Sequence, residues 1–235
     1  MSVAMPKVVL LPGLDGTGWL FKDFADALPR EFGREVVRYP ADRNLSYAEL
    51  APFVWASLPA SGPFVLLAES FSTPLAIQCV AANPPNLKGL VLCAGFVKSP
   101  MPTWTSALCS FLAPIMFSIP PPVFALKRFL VGPNPSTSLL LSVRVAISSV
   151  EPRVLSGRVR AALACDVLVE LGRVTVPILY IQAKQDRLID PLCAAEIQQI
   201  KPQTNVVRID GPHLLLQREP DQAAAVVMEF MKQVV

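Results

Sequence analysis

Attack by a serine on an acyl carbonyl requires a hydroxyl held clear of the backbone and a base beside it. It also requires an acid to orient that base and N–H donors for the developing oxyanion. Ser70 lies in "VLLAESFSTPLAIQC", residues 65–79, where an apolar run ends at Glu69-Ser70 and a helix-like run begins at once. A nucleophile on such a turn usually sits in G-x-S-x-G, because strand and helix approach closely there. Here Ala68 and Ser72 replace the glycines; both are small, so the steric requirement survives. Pro74 suits the first helical turn, where a proline removes no hydrogen bond. The same segment also reads as a helix that Ser70 merely caps. His213, in "RIDGPHLLLQREP", is the sole histidine, so a histidine base must be this one. Asp186, in "YIQAKQDRLIDP", is the candidate acid. Asp190 competes with it, but Asp190-Pro191 reads as the capped start of the next helix, which favours Asp186. Phe71, the residue after the nucleophile, would offer its N–H to the oxyanion.

The elements that must position these residues alternate. "KVVLLPG", "REVVRYP", "PFVLLAE", "KGLVLCAG", "VPILYIQAKQD" and "TNVVRID" read as short buried strands. Longer runs of helical periodicity separate them: "WLFKDFADALP", "SYAELAPFVWASL", "STPLAIQCVAANP", "PLCAAEIQQI" and "DQAAAVVMEFMKQ". Ser46 with Glu49 three positions later forms a capping-box pattern. This alternation predicts an α/β fold: a mostly parallel central sheet with helices on both faces. Ser70, Asp186 and His213 then follow the carboxyl ends of strands, where open α/β sheets gather their sites. The rhythm breaks between about Val97 and Val150, a stretch rich in proline, leucine and aromatics with no evident strand. It reads as an insertion between two halves of one sheet.

Composition narrows the function classes. A chain of 235 residues, 52% apolar and 17% charged, can bury one substantial core. A net charge of +3 without a long basic run does not suggest nucleic acid as a partner. The five cysteines, Cys79, Cys93, Cys109, Cys165 and Cys193, are odd in number and scattered, and read as reduced, buried thiols. The start "MSVAMPKVVLLPG" lacks the basic end and long apolar core of a secretory signal. The uncharged run 108–126 carries Pro114 and Pro120-Pro121-Pro122, which would interrupt a spanning helix. A cytoplasmic chain without a membrane span is expected. No metal or organic cofactor is suggested: "GLDGTG" has the wrong spacing for a dinucleotide fingerprint, and no P-loop lysine follows.

Taken together, "LLPGLDGTGWLF", "AESFST", "AKQDRLIDP" and "GPHLLLQREPD" resemble the α/β-hydrolase superfamily over nearly the whole chain. The resemblance implies that the first of these is the oxyanion loop, with the Leu14 N–H as second donor beside Phe71. Pro12-Gly13 stands there in place of the more familiar His-Gly. It implies further that residues 97–150 form a helical lid over a core made of 1–96 and 151–235. The order Ser70, Asp186, His213 is the one this architecture uses.

The expected chemistry is hydrolysis of a small-molecule acyl ester, free or carrier-bound, through an acyl-enzyme on Ser70. The aromatic residues of the insertion, Trp104, Phe111 and Phe117 foremost, would line a pocket for a medium, mostly apolar acyl group. About half of the insertion's apolar residues would instead pack it onto the body. Lys127, Arg128, Arg144, Arg153, Arg158 and Arg160 read as a solvated basic face, the alternative being a surface that attracts a carboxylate-bearing or carrier-bound acyl substrate. Thioester cleavage and acyl transfer would use the same triad. The rival from another class is a non-catalytic ligand-binding protein on this fold.

Overall fold

Val8 and Leu10 point to one side of a strand, Val9 and Leu11 to the other, and all four are buried. A strand covered on both faces requires that pattern. A computed structural model of the chain, describing residues 6–101 and 103–235 apart from the side chains at 103 and 104, sets this strand in a six-stranded sheet. The strands are β1 (Lys7–Leu11), β2 (Gly33–Val36), β3 (Phe64–Glu69), β4 (Leu87–Cys93), β5 (Ile178–Ala183) and β6 (Asn205–Ile209). They lie in the order β2-β1-β3-β4-β5-β6, and every neighbouring pair is parallel. The expected α/β architecture is the observed one.

In chain order the helices are α1 (Lys22–Ala27), α2 (Tyr47–Ser57), α3 (Ser72–Ala81), α4 (Thr103–Phe117), α5 (Val123–Ala125), α6 (Thr137–Ser148), α7 (Pro152–Leu163), α8 (Leu168–Arg173), α9 (Leu192–Ile200), α10 (Leu215–Arg218) and α11 (Pro220–Val234). Val8, Leu10, Val65 and Leu67 pack with α1, α10 and α11, through Phe24, Leu215 and Phe230 among others. Val9, Leu11, Leu66 and Ala68 pack with α2, α3, α8 and α9, through Leu50, Leu75, Leu171 and Ile197. Side-chain alternation along each strand thus feeds two separate cores. The capping box at Ser46 forms as the sequence suggests: Ser46 N–H donates to Glu49 Oε2 at 2.8 Å, and Glu49 N–H to Ser46 Oγ at 3.4 Å.

From β1 the chain moves outward to β2 and returns across β1 to β3. The loops leaving β1 and β3 therefore emerge side by side, at the switch point where such sheets open a crevice. Among the described residues, the elements between β4 and β5 are helical, apart from an isolated bridge from Lys98 to Asp166. α4 runs straight through Pro114, which was expected to interrupt it. Pro120 to Pro122 lie outside helix and do divide the apolar run. No helix among the described residues is long and apolar enough to cross a membrane. Residues 1–5, the start of the stretch read as lacking a signal, lie outside the described residues. All five thiols are free; Cys79, Cys93 and Cys193 are buried, Cys109 and Cys165 half-buried.

Candidate active site

β3 ends at Glu69 and α3 starts at Ser72, so the chain reverses within Ser70 and Phe71. That reversal puts Ser70 at φ 49°, in the left-handed region. A serine there costs on the order of 1–3 kcal/mol, and its neighbours hold it. Ser70 N–H donates to the Cys93 carbonyl at 2.9 Å, while the Ser70 carbonyl accepts from Thr73 N–H at 2.9 Å and Thr73 Oγ1 at 2.8 Å. The two substituted glycine positions have local explanations. Ala68 is fully buried in β3, in register with Leu11 and Leu92. Ser72 Oγ donates to the Pro12 carbonyl, which can only accept. The 2.7 Å contact between Ser72 Oγ and Tyr39 Oη must then carry the tyrosine's proton. The hydroxyl that replaces a glycine thereby joins the turn after β3 to the loop after β1.

The loops after β5 and β6 bring up the other two side chains. His213 Nδ1 lies 2.8 Å from Asp186 Oδ2, and His213 Nε2 lies 2.8 Å from Ser70 Oγ. His213 is 3% exposed and Ser70 half-buried. The second Asp186 oxygen, Oδ1, accepts the N–H groups of Leu188 at 2.8 Å and Ile189 at 3.0 Å. With both oxygens accepting, Nδ1 must carry the imidazole proton, which leaves the Nε2 lone pair for the serine hydroxyl. Asp190 is exposed and accepts from Leu192 N–H at 2.8 Å, at the start of α9. It is far from this arrangement in role: a cap.

The Phe71 ring stacks on Tyr47 with centroids 5.0 Å apart, and the Phe71 carbonyl accepts from Tyr47 Oη at 2.8 Å. With its carbonyl and ring both held, Phe71 presents its N–H from a fixed backbone at the helix N-terminus. Neither the Phe71 nor the Leu14 N–H donates to an acceptor among the described residues. Leu14 and Phe117 belong to one apolar cluster with Ile147, Val150, Val154 and Leu155. Phe111, expected to line the pocket, is instead 77% exposed. α4 buries Ala113, and at 100° per residue Phe111 falls on nearly the opposite side of the helix, whereas Phe117 returns to the Ala113 side. The Trp104 side chain lies outside the described residues. The turn at residues 126–131 is fastened to the histidine loop, where Leu214 N–H donates to the Leu130 carbonyl at 2.9 Å.

Sequence reasoning missed two polar residues here. Arg158, read as part of a solvated face, is 1% exposed. Glu69 is 2% exposed, and its Oε2 accepts from Gln217 Nε2 at 3.2 Å. Its Oε1 has no hydrogen-bond partner among the described residues. A charged residue closing an otherwise apolar strand was the available signal for Glu69. Burial, opposed by smaller contributions from His213 and Gln217, pushes the Glu69 carboxyl up to about 7. An unfolded chain releases that proton near 4.5, so stability falls as pH rises between about 4.5 and 7 and stays reduced above. The loss is on the order of 3 kcal/mol. The stability of Glu69→Gln relative to the parent should therefore improve by up to that amount from pH 4.5 to pH 8 in urea titrations. An offset that does not change with pH would show that the folded chain ionises this carboxyl freely.

Among the described residues no three His, Cys, Asp or Glu side chains converge as metal ligands would. A hollow of about 460 Å³, lined by Val174–Ile178 and Ile200–Thr204, lies at the amino ends of β5 and β6, whereas Ser70 follows the carboxyl end of β3.

The profile of the alpha/beta hydrolase family matches residues 8–226. No curated protein matches the chain in sequence. Solved structures do share its fold. A thermophilic esterase from Thermogutta terrifontis superposes with a TM-score of 0.80 at 18% identity, covering 99% of this chain and 91% of its own. An enol-lactonase from Burkholderia xenovorans LB400 gives 0.79 at 16%, covering 97% and 91%. A bromoperoxidase from Bacillus anthracis gives 0.80 at 14%, also covering 97% and 91%. At such identities the likeness concerns architecture, and the differing names show how many chemistries one architecture carries. With the family profile spanning almost all of it and the parallel sheet wound as in these structures, this chain belongs to the alpha/beta hydrolase family.

Proposed function

We propose that this hydrolase cleaves carboxylic esters of medium, mostly apolar acyl groups through a covalent acyl-enzyme on Ser70. The observation that carries the reading is the unbroken hydrogen-bonded line from Ser70 Oγ through His213 to Asp186, two contacts of 2.8 Å each. His213 takes the serine proton as Oγ attacks the carbonyl carbon, and Asp186 stabilises the imidazolium that results. The N–H groups of Leu14 and Phe71 receive the oxyanion. Collapse of the tetrahedral intermediate expels the alcohol, which His213 protonates. Water, deprotonated by the same imidazole, then releases the acid and frees Ser70.

The preference for an apolar acyl group rests on the cluster of Leu14, Phe117, Ile147, Val150, Val154 and Leu155. It draws together the oxyanion loop and the segment 97–150, which we read as a lid. Fluorophosphonate labelling and a series of p-nitrophenyl esters test the proposal. Ser70 should be the labelled residue, and octanoyl esters should be cleaved faster than acetyl esters. Equal rates on the two would remove the acyl pocket. Folded protein that takes up no label would favour a non-catalytic binder, and faster cleavage of matched thioesters would reassign the substrate.

A further inference from the structure

Arg158 sits on α7, the first helix after the segment 97–150, and 1% of it is exposed. Its partners are carbonyls. Nη1 donates to Leu14 at 2.9 Å and to Asp15 at 2.7 Å, and Nη2 donates to Pro40 at 2.9 Å. A buried guanidinium that faces main-chain oxygens in place of a carboxylate is costly to desolvate. Packing alone does not call for one, since an aliphatic side chain would fill the same space.

The carbonyls it grips belong to the loop that carries the Leu14 N–H. Gly16 N–H closes a turn onto the Gly13 carbonyl at 3.1 Å, and Asp15 Oδ1 accepts from Thr17 N–H at 2.9 Å. With the Leu14 and Asp15 carbonyls also held, the peptide units around Leu14 have little freedom left. The fit admits no side chain at Gly16: its φ is +68°, and a Cβ there would lie 2.6 Å from Arg158 Nη1.

The same guanidinium lies over the Tyr39 ring, 5.7 Å from its centroid. Tyr39 in turn meets the Phe71 ring edge-on at 6.4 Å and donates through Oη to Ser72 Oγ. One side chain therefore braces both segments from which an oxyanion would be bound.

We propose that Arg158 is a positioning residue for the oxyanion site, fixing the Leu14 peptide directly and the Phe71 turn through Tyr39. The inference rests on the esterase reading above. It makes α7 the element that couples the segment 97–150 to the catalytic power of the sheet's crevice.

The test compares Arg158→Met, Arg158→Lys and, as a control, Arg160→Met, which alters an exposed arginine on the same helix. Rates are expressed per active site titrated to completion with fluorophosphonate. Removing a whole oxyanion donor costs about 10²–10³ in turnover, and misaiming one costs less. Arg158→Met should therefore lower kcat by about 10- to 100-fold with KM changed less than about threefold. Its affinity for a trifluoromethyl ketone with an alkyl chain, which mimics the tetrahedral intermediate, should fall by the same factor. Arg158→Lys keeps the charge but lacks the planar fork, and should recover part of both losses. Arg160→Met should match the parent.

A folded Arg158→Met with parental kcat per site, or a loss of kcat without a matching loss of ketone affinity, would overturn the proposal. If Arg158→Met does not fold, Arg158→Lys decides: a kcat at least about fivefold low with KM unchanged supports it, and a parental rate overturns it. Parent protein that neither labels nor hydrolyses would instead bring down the esterase reading, and this inference with it.

Discussion

Ser70→Ala should reduce ester turnover by at least about 10⁴-fold, leaving only what binding and the oxyanion donors supply to attack by water. The expectation follows from Oγ standing 2.8 Å from His213 Nε2 while half-exposed at the crevice. No other described hydroxyl stands on the imidazole in that way. Folding should be little affected, because alanine at φ 49° bears the same backbone strain as serine. Thermal denaturation of parent and variant should therefore superpose within a few degrees while the rates differ by orders of magnitude. Undiminished hydrolysis by purified Ser70→Ala would refute the proposed mechanism outright.

Asp186→Asn should be nearly as damaging, about 10⁴-fold in kcat, and the reason is written in the local hydrogen bonds. The N–H groups of Leu188 and Ile189 both point at Oδ1, so an asparagine must place its amide oxygen there. Its NH₂ then faces His213 Nδ1, 2.8 Å from the former Oδ2 position. That NH₂ donates to Nδ1 and drives the ring proton onto Nε2, where it can no longer accept from Ser70. Asp190→Asn is the companion measurement. Asp190 caps α9 from an exposed position, and asparagine caps as well as aspartate, so its rate should stay within about twofold of the parent. A large loss at 190 with little at 186 would exchange the two assignments.

The parallel sheet was legible because parallel strands are covered on both faces and read as unbroken apolar runs, "VVLL", "FVLLA" and "VLCA" among them. Helical periodicity and the Ser46-Glu49 box marked the crossovers between them. Ser70, Asp186 and His213 could be singled out because strand ends can be located from sequence, and three of them shared a direction. The segment 97–150 was harder. Its apolar residues carry no mark of which side of α4 they occupy, so Phe111 and Phe117 read alike although one faces solvent and the other packs with Leu14 of the loop after β1. Arg158 was misassigned by its charge, despite lying three and four positions from buried Leu155 and Val154, on the same face of α7.

Sequence alone determined the alternation of strands and helices on either side of residues 97–176, the parallel character of the sheet and the shortlist of side chains with the chemistry to react. These depend on local periodicity and on strand ends, which neighbouring residues specify. The tertiary structure alone decided that the imidazole meets the Ser70 hydroxyl, that Glu69 is buried beside it, and that Arg158 grips the loop after β1. Each of those joins residues more than a hundred positions apart or depends on water being excluded between packed elements. Neither distance nor desolvation is encoded in any short stretch of chain.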